Sequence, residues 1–198
     1  FNSLINEKVR EIDPKIKLKL NQVNFKLNPS NFEFEIFTLD PQILINEKKV
    51  DLEIIKSDLN LLDYFNNKNP ISEISIISKE SNIDQFANFI NEYDFNLARN
   101  LILKQIKKGK VKIISNINFS EKDPKNIKYI VNGSVTDAEI KLLNQSKIEK
   151  IKFNFFLDQN VLNLNKLELS FDKILITSEK INIKKINKYF EISGNFKT

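Results

Sequence analysis

The chain has 198 residues, 41% of them hydrophobic and 29% charged, and its 31 basic and 26 acidic side chains leave a formal charge of +5. That suits one large globular domain or one segment of a longer array. There is no cysteine and no histidine, which excludes disulfides, thiolate nucleophiles, Cys/His metal sites and a Ser-His-Asp triad.

Asn, Lys and Ile are over-used and glycine falls to 3, a bias that an AT-rich genome produces. Leu4, Ile5, Val9 and Ile12 are spaced for one face of a helix, which Pro14 ends. Ile-Lys-Leu-Lys-Leu at 16–20 and Val-Asn-Phe-Lys-Leu at 23–27 alternate as a strand, with a bulge near Asn21-Gln22. The turn Asn28-Pro29-Ser30-Asn31 returns the chain into Phe32, Phe34 and Ile36, which predicts a hairpin. Asp40-Pro41 breaks it again, and Ile43–Ile45 and Val50–Ile55 flank a polar turn from Asn46 to Lys49. Ser57-Asp58 predicts the cap of a short helix carrying Leu59, Leu62 and Phe65, and Ile71–Ile77 reads as a strand. Ser81-Asn82 opens the clearest helix, with Ile83, Phe86, Ala87 and Ile90 on one face. A second helix follows Asp94, carrying Leu97, Ala98, Leu101, Ile102 and Ile106, with Gly109 as its C′ residue.

From Lys110 the chain is strand-like. Lys110–Phe119 and Lys128–Val135 are separated by a turn at Ser120–Pro124, and Asp137–Leu143 follows. The last third alternates most plainly. Ile151, Phe153, Phe155 and Leu157 oppose Lys152, Asn154 and Asp158, and a turn at Gln159-Asn160 leads into Leu167, Leu169 and Phe171. The period returns in Phe190, Ile192, Gly194 and Phe196. Side chains of a strand alternate faces, so these runs build an antiparallel sheet with one greasy and one wet face. The fold class expected is mainly β with a small helical insertion: strands and short helices over 1–80, helices over 81–109, and an antiparallel meander over 110–198.

Chemistry is sparse. The carboxylate pairs Glu33/Glu35, Asp51/Glu53 and Asp137/Glu139 are spaced i, i+2 on strands, which puts both members on the wet face and not in a desolvated cleft. Asp63 to Asn69 lacks the spacing and central glycine of a calcium loop, and no phosphate-binding loop is present. Lys104–Lys110 is a short basic run at a predicted helix end, where cations suit the dipole, and it is no nucleic-acid stripe. No enzyme, metal, cofactor or nucleic-acid partner is expected, and no apolar run reaches the ~18 residues that a spanning helix takes.

What remains is the greasy face. Its candidates for holding an apolar ligand are Phe153, Phe155, Leu157, Leu167, Leu169, Phe171, Ile192 and Phe196. If a second layer covers them they are core; if the sheet stays open they would take acyl chains, each buried CH₂ contributing ~0.8 kcal/mol. In its order of features the chain resembles the AsmA-like family of envelope proteins, which includes the TamB and YhdP types of Gram-negative bacteria. The likeness runs through IKLKLNQVNFKL, VDLEIIKSDLNLLDYF and ISEISIIS, then GKVKIISNINF, YIVNGSVTDAEI and KIEKIKFNFFLDQNVLNLNKLELSF. It implies a sheet curled into an open apolar groove and a periplasmic location. It also implies an inner-membrane anchor upstream of this segment of a longer protein, and phospholipid acyl chains as ligand. Other envelope proteins, met through sheet edges, are the further partners expected. Two alternatives remain at this level: a closed β-sandwich that assembles with envelope proteins and holds no lipid, and a lipid-binding domain with one closed cavity.

Overall fold

The computed structural model describes residues 3, 6–7, 9–10, 13–28, 33–66, 70–93, 104–119, 127–142, 146–186 and 189–198. The strands are β1 (Ile16–Lys19), β2 (Val23–Asn28), β3 (Glu33–Leu39), β4 (Gln42–Ile45), β5 (Lys48–Asn60), β6 (Ile71–Ser78) and β7 (Ser81–Asn82). After them come β8 (Ile106–Phe119), β9 (Ile127–Lys141), β10 (Lys147–Leu157), β11 (Val161–Phe171), β12 (Ile174–Ile186) and β13 (Tyr189–Gly194). Helices α1 (Leu61–Phe65) and α2 (Ile83–Tyr93) interrupt them. The hydrogen-bonded order is β1-β4-β5-β6-β8-β9-β10-β11-β12-β13, with β2 on β3, β3 on β5 and β7 on β8. β1 and β13 end that order without pairing with each other, so the sheet is antiparallel and open, not a barrel. The chain divides into two compact units, one of residues 1–79 with 114–129 and the other of 80–113 with 130–198, so β8 and β9 each give residues to both.

In the first unit β5 is the central strand, pairing with β3 and β4 on one side and β6 on the other. Its core holds Leu18, Ile36, Ile45, Val50, Leu52, Ile55, Leu59, Ile71 and Ile74. The run at 16–27 is two strands, not one strand with a bulge. β1 pairs with β4 while β2 pairs with β3, and the Asn21 side chain holds the break by donating to the carbonyls of Leu39 (3.3 Å) and Asp40 (2.9 Å). The cap expected at Ser57-Asp58 falls at Asn60, whose Oδ1 accepts the Asp63 N–H at 3.1 Å. The reason is pairing on both sides: Ser57 faces Ile36 and Ile74, Leu59 faces Phe34 and Ile71, and the ladder carries β5 past the first candidate cap. The Asn28–Asn31 turn lies largely outside the described residues, as do Leu4, Ile5 and Ile12.

In the second unit α2 starts where Ser81-Asn82 predicts, with Ala87 buried and Ile83 and Phe86 packed on the sheet, while Ile90 is exposed. The helix expected over Leu97–Ile102 and the Ser120–Pro124 turn lie outside the described residues. Lys104 and Gln105 are helical, but Ile106–Lys110 already belong to β8, so Gly109 is a strand residue and not a helix end. Its φ is +139°, and a Cβ there would meet the Ala138 Cβ at 2.8 Å. Only glycine lets the β8 and β9 backbones approach so closely.

β9 runs unbroken where the sequence suggests two strands, because Asp137 takes a left-handed conformation (φ 51°) and lets the ladder continue. The same device recurs in the next two strands. Val135/Ala138 on β9, Ile148/Ile151 on β10 and Leu164/Leu167 on β11 are each three residues apart yet join one apolar cluster. The residue before each second member has positive φ: Asp137, Lys150 (53°) and Lys166 (53°). Register shifts between β9 and β10, and between β10 and β11, mark the same places. A strict period of two would turn one half of each strand's apolar residues to the wet side, and the extra residue of a bulge turns them back.

Candidate functional site: the apolar face of the second unit

Four of the sequence candidates on β10 and β11, Phe153, Phe155, Leu167 and Leu169, lie on one continuous apolar face. Leu167, Ile151, Val135, Ala138, Val111 and Ile181 are its buried members, and Phe153, Phe155, Leu164, Leu169 and Ile183 pack against them half-buried. The Phe153 and Phe155 rings lie 6.3 Å apart between centroids, tilted by 57°. Phe155 stands opposite Gly133 on β9, its ring filling the space a Cβ would take, so that strand has no side chain beneath it.

The remaining four candidates sit further out. Leu157 ends β10 opposite Leu162 and Val131, and Phe171 ends β11 opposite Ile148 and Ile174; both are half-buried and outside the cluster. Ile192 faces Ile183 across β12–β13 but is 67% exposed, and Phe196 is exposed beyond the end of β13. Residues the candidate set lacks are Leu164, Ile181 and Ile183, which register sets side by side: Leu164 opposite both Phe155 and Ile181, and Ile183 opposite Leu162. The sequence signal for Leu164 is its three-residue spacing from Leu167 around Asn165-Lys166, which breaks strict alternation, and that for Ile181 and Ile183 is their two-residue spacing on β12.

The opposite face is charged. Lys152 faces Glu168, and Glu139 accepts from Lys147 (3.1 Å) on β10 and Lys108 (3.3 Å) on β8. Hydrogen bonds from Lys147 and then Lys108 hold the Glu139 carboxyl below its usual range. Lys110 pairs with Glu80 at 2.9 Å, so two cations of the basic run are bound to carboxylates.

A polar cleft of about 290 Å³ lies in the first unit, lined by Glu35, Lys56, Ser57, Asp58, Glu73, Ser75 and Asn116. Glu35 stands opposite Asp58, and Ser75 is opposite both Lys56 and Asn116. Lys56 and Asp58 are exposed, and among the described residues no group of three or more acidic side chains is placed to hold a metal ion. No helix of the described residues is long and apolar enough to cross a membrane.

The fold and its faces define an open antiparallel β-sheet protein with one apolar face in its second unit. No family model, curated protein or solved structure matches the chain.

Proposed function

We propose that this chain is a segment of an AsmA-like, periplasmic, inner-membrane-anchored protein that holds phospholipid acyl chains in a β-groove, for lipid transport between membranes or outer-membrane assembly. The observation that supports it is the apolar face running across β9 to β12, kept on one side through three bulged strands. Half-buried Phe153, Phe155, Leu164 and Leu169 keep part of their surface open to a ligand. Each CH₂ moved from water onto such a face contributes about 0.8 kcal/mol, so a few contacts on several residues suffice to hold a chain. A face of this kind recognises length and apolarity, with no catalytic group. The charged reverse face, with Lys152–Glu168 and the Glu139 pairs, keeps it wet.

The test is native mass spectrometry of the purified protein with lipid extraction. Co-purified phospholipid is expected, and it should be lost in Phe155→Asp and Leu169→Asp while circular dichroism still reports the strands. Lys152→Asp and Glu168→Lys, on the other face, should retain it. A lipid-free, cooperatively melting protein would instead favour a structural module of the envelope that holds no lipid.

A further inference from the structure

The polar cleft of the first unit carries chemistry that an apolar ligand leaves unused. Its lining is negative, three carboxylates (Glu35, Asp58 and Glu73) against one ammonium (Lys56), on a chain whose formal charge is +5. Asp40, Glu80 and Glu139 each hold a lysine, at 2.6, 2.9 and 3.1 Å. Among the described residues no ion pair engages Glu35, Asp58 or Glu73. Glu35 and Asp58 stand directly opposite across β3 and β5, a like-charge pair that costs stability unless a cation joins it. Two further polar groups lack partners there. The Asn116 Oδ1 is buried with no hydrogen bond, and Ser75, only 8% exposed, has none on its hydroxyl among the described residues. They face each other across β6 and β8, and both line the cleft. A buried acceptor left unmet costs about 1–3 kcal/mol, which an N–H donor from a ligand would recover.

We propose that this cleft binds a linear aliphatic diamine or longer polyamine. One primary ammonium donates to Asn116 Oδ1 and Ser75 Oγ, and the rest of the chain runs along the carboxylates. Such a group brings three donors and no acceptor, which matches a lining rich in acceptors. The negative charge is spread out and not convergent: no three acidic side chains of the described residues are placed to hold a metal ion. Glu35 on β3 and Glu73 on β6 are two strands apart, about 10 Å on the ordinary strand spacing. Charge spread in this way suits ammonium groups strung on a chain. A zwitterionic lipid headgroup or an amino acid would bring its own anion among three carboxylates, so the ligand is a cation without one. A volume of about 290 Å³ lies at the small end of ligand pockets, which fits a slender chain. None of these residues belongs to the apolar face of the second unit, so the site stands or falls apart from lipid binding.

Isothermal titration calorimetry with α,ω-diaminohexane tests it, in about 150 mM NaCl, where exposed charges are screened beyond ~8 Å. A saturable one-site isotherm is expected, with a Kd on the order of 100 μM. Hexamethonium, the same dication with methyl in place of every N–H, should bind about tenfold more weakly, the share of one hydrogen bond to a charged group. Asn116→Leu leaves the charge unchanged and should weaken the diamine by a similar factor while circular dichroism reports the parent's strands. Glu168→Gln, which removes an exposed carboxylate of the second unit, should bind as the parent does. Phosphatidylethanolamine vesicles should not displace the diamine. No saturable binding, equal binding of hexamethonium, undiminished binding by Asn116→Leu, or displacement by the vesicles would each overturn the site. The hexamethonium comparison uses the parent chain, so it decides even where a substitution unfolds.

Discussion

Lys173 occupies a position that its side chain opposes. With Asp172 it forms the two-residue turn between Phe171 and Ile174, and both have positive φ, 48° at Asp172 and 67° at Lys173. Such turns favour glycine at the second place, and a left-handed lysine costs about 1–2 kcal/mol. Lys173→Gly should therefore raise stability by about 0.5–1 kcal/mol, after the extra freedom of glycine in the unfolded chain is set against the relief. A urea midpoint that rises with an unchanged slope is the expected reading. Glu139 makes a second prediction at this scale. Its folded pKa lies below the ordinary value, so its ion pairs stabilise the fold above the unfolded-state value of ~4.3, and that contribution is lost as pH falls through the depressed folded value. Glu139→Gln should melt below the parent at neutral pH, and the gap should close in strong acid. A gap that persists there would assign the effect to packing and not to charge. Gly109 is placed in the sequence like a helix end, but its close approach to Ala138, a partner far along the chain, decides its role.

Strands show what alternation reveals and what it hides. Phe153, Phe155, Leu167 and Leu169 were legible as one face because each pair is two apart. Leu164 was not, because its face depends on the left-handed Lys166, and no glycine or proline marks that place. The same omission divided β9 at Asp137. Ser57-Asp58 has the composition of a cap, but the partners on both sides of β5 carry the strand past it to Asn60. The bulge positions carry a testable cost. Lys166→Val puts a β-branched side chain at positive φ and should lose about 1–2 kcal/mol, whereas Lys152→Val, at a strand position without positive φ, should stay within about 0.5 kcal/mol. Chemical denaturation of the pair, with Lys166→Asn as a tolerated control, separates backbone strain from the loss of a lysine.

At the scale of the molecule, the antiparallel class and its helical insertion follow from local signals: alternation of period two, one clear helical face after Asn82, and polar turns between runs. Hairpin order in β8 to β13 is sequential and so was readable, because neighbours in sequence are neighbours in the sheet. The pairing of β1 with β4, across the β2–β3 hairpin, has no local signal and depends on the burial of Leu18 and Ile45. The division of the chain was equally hidden, since no Gly/Pro-rich linker marks it and both units share the strands β8 and β9. That sharing has a consequence during synthesis. β6 emerges from the ribosome with one edge bare, and its partners Ile114–Asn118 follow only after some three dozen residues, about 2–7 s at ordinary elongation rates. Through that interval the edge beside Ile74 and Ile76 is a template for any other nascent strand. The most vulnerable moment in the life of the first unit is thus set by where the β8–β9 hairpin falls in the message.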